Sequence, residues 1–327
     1  MTGIITRKFP ITGNVLEVAK YGKPFTSIQT AINTAAANDH IIIYPGTYNE
    51  NVTIATAGIT ISGIDKKKTF IDSITITGKD VVLSNISVSG NSTIVCTVTY
   101  DWGKWIEVSD CDLYGNVNLG TTETACSYKV RLLRVFIYGD STKTLVQNFA
   151  DSTWSHAVDC SMDSGKWGTR DSITYSVYRG RLDWYNCKNI IIGTLQYVNN
   201  NIWSLAHFEQ CDLRINILST SASNTSNTHI LAIRQCHALA PKDQTWTFDG
   251  RFEFDVQQSL FWYPAIVFNS TANSRIQHVT GCWYQNANTI TGTGLANLYI
   301  HQSLFHCAAP VGLGEDMNNS WEAFVDD

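Results

Sequence analysis

HFEQCDLRI (His207–Ile215) places a histidine and a glutamate two residues apart beside a cysteine, a combination that on its own suggests chemistry. Related phrases recur along the chain: EVSDCDLYG (Glu107–Gly115), AIRQCHALA (Ala232–Ala240), DVQQSLFWY (Asp255–Tyr263) and YIHQSLFHC (Tyr299–Cys307). With Cys211 as anchor, apolar residues stand five and three places before it (Ala206, Phe208) and two places after it (Leu213), with polar Gln210 immediately before. The same frame fits, imperfectly, around Ile64, Ile86, Cys111, Val135, Cys160, Cys187, Cys236, Ser259, Cys282 and Ser303; Gln277 and Asn189, for instance, break its apolar slots. Successive anchors are 21 to 27 residues apart, about 24 per step, so the unit is an internal repeat.

Within each unit the apolar residues alternate with period two, the pattern of short strands. A leucine-rich repeat has a similar length, but its LxxLxL phrase and helical half are missing. The repeat therefore predicts an all-β fold, a right-handed parallel β-helix of about ten to eleven coils. Like residues of successive coils stack at the strand spacing of about 4.8 Å. Six of the nine cysteines then share one buried column, where a small thiol suits a tight corner. Val135, Ile64, Ile86, Ser259 and Ser303 fill the same slot by size, while Cys96, Cys126 and Cys307 are out of register. The residue before each anchor is largely polar, from Asn85 and Asp110 to Gln258 and Gln302. Stacked amides there can hydrogen-bond from coil to coil.

The first 63 residues read differently. NVLEVAKYG (Asn14–Gly22) alternates as a strand. FTSIQTAINTAAAND (Phe25–Asp39) follows, with Ile28, Ala31, Ile32 and Ala35 on one helical face, and with Thr26 or Ser27 as N-cap. The expected organisation is an N-terminal strand and attachment segment (1–24), a capping helix with the first coil (25–63), the β-helix (64–310) and an acidic C-terminal tail (311–327). The stretch Phe25–Ile64, a helix of SIQxAI type, a strand and then PGTYxE, resembles the opening of the pectin-lyase-like superfamily. Its nearest echoes are pectin methylesterases and phage proteins that share this opening. The resemblance implies a parallel β-helix whose first helix covers the open end of the coil stack.

Bulk properties limit the function. The chain of 327 residues is 44% hydrophobic, 16% charged and carries a net charge of −5, so nothing favours nucleic acid or an anionic membrane as a partner. No apolar run is long enough to span a bilayer, and membrane insertion is not expected. The start MTGIITRKFPITGNVLEVAK lacks a basic segment followed by an apolar one, so no signal peptide is expected and the cysteines are read as free thiols. No CxxC pair occurs, and neither a metal nor a cofactor is expected.

The site phrases of the superfamily's enzymes are absent. Pectin methylesterases carry aspartates in QDT and DFIFG and an arginine in GRPW; polygalacturonases carry NTD, DD, GHG and RIK. Here DD occurs only as Asp326–Asp327, and no catalytic residue transfers by resemblance. Position still selects candidates. Residues four and two places before each anchor are expected to face outward on one sheet. The first column runs Glu107, Arg131, His156, Asp183, His207, Ala232, Asp255, His278, Tyr299; the second includes Tyr185, Glu209 and Arg234. This brings Asp183, His207 and Glu209 together as candidate catalytic residues, two carboxylates for acid–base work and a histidine oriented by Asp183. A mixed-sign polar column is also what a solvated sheet face needs. A calcium reading rests on Asp110, Asp112, Asp159 and Asp163 near the corner, but aspartates are common in turns.

The ten tryptophans and 14 tyrosines include several in segments that read as loops or outward turns. Trp102, Trp105, Trp167, Trp283 and Tyr284, with Arg234, are candidate binding residues for a sugar face or a protein interface. Trp184 instead falls on an inward slot. The leading expectation is a virion protein of a tailed phage or similar virus, a spike, fibre or capsid decoration. It would be made in the host cytoplasm and assembled as a homotrimer with other virion proteins, with a host surface glycan as ligand. The alternative is a polysaccharide lyase or hydrolase that uses an outer groove.

Overall fold

A computed structural model describes residues 13–94 continuously and, from 105 to 321, the strands and most of their corners. The chain is a parallel β-helix. One sheet holds fourteen strands, each paired in parallel with its neighbours: Val15–Val18, His40–Ile43, Thr60–Gly63, Val81–Ser84, Trp105–Ser109, Lys129–Leu133, Thr153–Val158, Gly180–Tyr185, Ser204–Glu209, His229–Arg234, Phe252–Gln257, Gln277–Thr280, Leu298–His301 and Glu315–Met317. A second sheet of twenty strands takes the chain back between them. The stack is longer than the ten to eleven coils expected. The repeat frame accounts for eleven strands of the first sheet; Val15–Val18, His40–Ile43 and Glu315–Met317 extend it at both ends without an anchor phrase.

The register follows the repeat. Leu16, Ile41, Ile61, Leu83, Val108, Leu132, Ala157, Trp184, Phe208, Ile233, Val256 and Val279 lie opposite one another strand by strand and all are buried. Alternation turns this row inward. Small Ala157 is followed by Trp184 and Phe208, whose rings meet edge to face with centroids 6.4 Å apart.

Ten successive strands of the first sheet, from Val81–Ser84 to Leu298–His301, end in a corner with one residue in the left-handed conformation. Asn85, Asp110, Arg134, Asp159, Asn186, Gln210, Gln235, Gln258 and Gln302 all have φ between +47° and +58°, and Gly281 has +63°. The left-handed conformation costs an ordinary residue about 1 kcal/mol or more, yet it recurs in ten successive coils. It turns the chain so that the next residue, the anchor, points inward. The parallel ladder continues through the bend: Gln210 N–H donates to the Arg234 carbonyl at 3.0 Å and His237 N–H to the Cys211 carbonyl at 3.0 Å.

Ile64 shows what happens without this turn. Gly63 does not adopt positive φ, strand alternation continues past it, and Ile64 is 53% exposed. The expectation that Ile64 fills the buried column is thus corrected; the column begins at Ile86.

At the N-terminal end, helix Ile28–Thr34 buries Ile28, Ala31 and Ile32 in the same core as the first strands. Ser27 is its N-cap and accepts from Thr30 N–H. The Glu50 carboxylate, from PGTYNE, accepts from the Ser27 hydroxyl (2.8 Å) and from the N–H groups of Ile28 (3.2 Å) and Gln29 (3.0 Å). These are among the donors that a helix start leaves unsatisfied, and a negative charge suits that end. Tyr48 of the same phrase is fully buried and donates to the Tyr44 carbonyl at 2.9 Å.

Candidate functional site

The two outward columns are in the expected register. Asp183 lies opposite His156 and His207; Tyr185 lies opposite Glu209, which lies opposite Arg234. Asp183, His207 and Glu209 therefore come together on adjacent strands. His207 is wedged between the two carboxylates: its Nδ1 is 3.6 Å from Asp183 Oδ1 and its Nε2 is 3.7 Å from Glu209 Oε2. Both distances exceed a hydrogen bond. The group within reach of Nδ1 is the Tyr185 hydroxyl, at 3.2 Å. The Tyr185 ring stands edge-on to His207 with centroids 5.3 Å apart, and it also contacts His156 at 5.5 Å.

Exposure along the outward column is uneven. Asp183 is 1% exposed and Ala232 is buried, whereas the Glu209 side chain is 39% exposed and that of His207 14%. A substrate arriving from solvent meets Glu209 first and His207 at its edge; it does not reach Asp183. The remaining charges of the columns are matched to one another. Arg234 donates through Nη2 and through Nε (3.2 Å) to Asp255 Oδ2, and Gln257 donates to Oδ1 of the same carboxylate at 2.9 Å. Arg131 is 3.5 Å from Glu107, whose carboxyl burial raises above the usual range.

The corner column carries hydrogen bonds that the sequence does not show. The thiols of Cys111, Cys160, Cys187, Cys211, Cys236 and Cys282 donate to the carbonyl two residues earlier, at 3.2 to 3.4 Å. The hydroxyls of Ser259 and Ser303 do the same at 2.9 and 3.0 Å. Four of these side chains also receive a backbone N–H from the coil before: Cys187 N–H donates to Cys211, Cys211 N–H to Cys236, Cys236 N–H to Ser259 and Cys282 N–H to Ser303. Cysteine and serine share this slot because both are small and both donate and accept. Burial pushes the Cys111 thiol up to about 12 and that of Cys282 up to about 11, so these sulfurs are poor nucleophiles.

Outside the column, the preceding polar residues pair from coil to coil. Gln210 donates to Gln235 and Gln235 to Gln258, each at 3.0 Å, and Asn186 donates to Asp159 at 2.6 Å. Arg134 holds Asp110 through two bonds of 2.7 Å and keeps its carboxyl below the usual range. Lys66 holds Asp112 at 2.7 Å. Of the aspartates considered for calcium, Asp110 and Asp112 are thus engaged by cations and Asp159 by an amide, the Asp163 side chain lies outside the described residues, and no group of three or more metal-ligating side chains occurs among the described residues.

Trp102 and Trp167 lie outside the described residues. Trp105, Trp184 and Trp283 stand in strands rather than loops. Trp105 is partly buried, and Trp184 is fully buried as its inward slot requires. Trp283 lies opposite Leu260 and Leu304. Tyr284, opposite Phe261 and Phe305, falls in the row that contains buried Leu213 and Ala238.

No protein-family model and no curated protein matches the sequence. Among solved structures, the chain is similar to pectin methylesterase PemA from Erwinia chrysanthemi, with 14% identity over 94% of this chain and 92% of that one, at a TM-score of 0.26. It is also similar to a pectin methylesterase from carrot, with 12% identity, 94% and 88% coverage and a TM-score of 0.25. A third similar structure is Geobacillus virus E2 ORF18, with 14% identity over 90% of this chain and 57% of that one, at a TM-score of 0.28. At such identities and TM-scores the likeness carries no statement about activity or partners. No helix among the described residues is long and apolar enough to cross a membrane.

Proposed function

We propose that this chain is a structural protein of a virion, a β-helical spike, fibre or decoration module of a tailed phage or similar virus, assembled as a homotrimer. The observation that carries the reading is how the outward columns are used. Their charges are spent on one another, in Arg131–Glu107 and Arg234–Asp255, as are those of Arg134–Asp110 at the corner, and Asp183 is sealed from solvent. A long stack with internally matched charge and side-chain ladders along its corner suits a shaft. Acid–base chemistry would need two carboxyl groups that reach substrate. The second reading, a polysaccharide lyase or hydrolase, is favoured by Glu209 alone, whose exposed carboxylate stands beside His207.

The two readings separate experimentally. Negative-stain imaging of purified particles with an antibody against this chain should label a capsid or tail, and sedimentation of the purified protein should give three chains per particle. Absence of labelling, together with release of reducing ends from polysaccharide by wild type but not by Glu209→Gln, would establish the enzyme instead.

A further inference from the structure

The outer face of the second sheet carries an aromatic strip. Strand Asp112–Leu113 pairs with Phe136–Tyr138, with Asp112 opposite Phe136 and Leu113 opposite Ile137. Leu113 and Ile137 are buried, so by alternation Asp112, Phe136, Tyr114 and Tyr138 face outward. Tyr114 is 36% exposed; Phe136 and Tyr138 are partly exposed. The two tyrosine rings, supplied by successive coils, stand 5.6 Å apart and tilted by 42°. Beside them Lys66 and Asp112 form a partly exposed ion pair of 2.7 Å. On the far side of Phe136, Ser161 bridges to the exposed Lys188.

We infer that this strip is an oligosaccharide-binding surface, on which a glycan lies along the stack axis over Tyr114 and Tyr138. A hexose has an apolar C–H face and a rim of hydroxyls. An aromatic ring with a polar tip meets the first. The ammonium groups of Lys66 and Lys188 donate to the rim, and the Asp112 carboxylate accepts from it. The core of a protein–protein interface, in contrast, is depleted of charged residues, and here Asp112, opposite Phe136, is paired with Lys66. The two rings come from successive coils, so a ligand that repeats along its length meets a tyrosine at each of two steps. The inference rests on the virion reading only for where the glycan would come from, a host surface.

The test is isothermal titration of the full chain with cellohexaose, maltohexaose and chitohexaose at millimolar sugar. At least one is expected to bind. Tyr114→Ala/Tyr138→Ala should weaken that binding about tenfold or more. Tyr114→Phe/Tyr138→Phe, which keeps the rings, should leave it within about threefold, and so should Tyr21→Ala, at a tyrosine 91% exposed on the N-terminal loop. Because both rings lie on the outside, the variants should melt like the parent. Failure of all three sugars to bind overturns the inference, as does equal binding by the double-alanine protein. A changed sedimentation coefficient in that variant, without any sugar effect, would make the strip a subunit contact. Particle labelling by the antibody is unaffected by any of these outcomes.

Discussion

At the scale of single residues, two substitutions separate the causes of the corner. Gln258 adopts φ +47° and accepts from the Gln235 amide. Glycine reaches that conformation without strain, so Gln258→Gly loses only an exposed amide contact and should alter stability by less than about 1 kcal/mol. A β-branched residue fits it badly, and Gln258→Val should cost about 1–3 kcal/mol. Equilibrium urea unfolding distinguishes the two. Cys211 tests the buried relay. Cys211→Ser keeps a donor and an acceptor, as Ser259 and Ser303 do in their own coils. Cys211→Ala leaves the buried Cys187 N–H without its partner and should cost about 1–3 kcal/mol. The cysteine column was legible from spacing alone. Its hydrogen bonds were not, because size and polarity suggest the same residues, and neither reveals the carbonyl two places back. The left-handed turn was hidden because half of the row is Gln or Arg, which carry no signal for positive φ, whereas Gly281 and the Asn and Asp members at the same place do.

At the scale of elements, the N-terminal helix is held more by Glu50 than by its own length. Seven residues are too few for a stable helix in isolation. Glu50→Gln retains size but removes the charge that faces three donors. It should destabilise by about 1–2 kcal/mol, read as earlier exposure of the helix amides in hydrogen exchange. Gln29 adds a second tie. Its amide accepts from Thr53 N–H at 2.7 Å and donates to the Thr53 carbonyl at 3.1 Å. It thus stands in for a neighbouring strand at the start of the second sheet. The helix, its cap and the PGTYNE phrase were legible in the sequence; that Glu50 is the clasp was not, because the two segments are more than twenty residues apart. The candidate site divides in the same way. The register that joins Asp183, His207 and Glu209 followed from period-two strands and a fixed anchor. The burial of Asp183 did not, since alternation fixes which side of a sheet a residue takes and leaves open what covers that side.

At the scale of the whole molecule, stability is a sum over coils and their contacts with the next coil, so the number of coils is adjustable. Deleting residues 212–236 joins Cys211 to His237 and preserves the corner phrase. Cys211 N–H then meets Ser259 Oγ, as Cys236 N–H does now, and Val256 follows Phe208 in the inward row. The shortened protein should fold, with an unchanged far-ultraviolet spectrum and a melting point lowered by a few degrees. Deleting half that length puts apolar residues on the outer face and should abolish folding.

The cysteine column also has a use for the experimenter. Its six described thiols occupy six of the eight coils from Cys111 to Cys282, and all are buried. A thiol becomes alkylatable only when its own coil opens, so mass spectrometry of pulse-labelled protein in rising denaturant should report where the stack comes apart. If the ends fray first, Cys282 is modified before Cys187 and Cys211, and the order of modification records the direction in which the molecule unwinds.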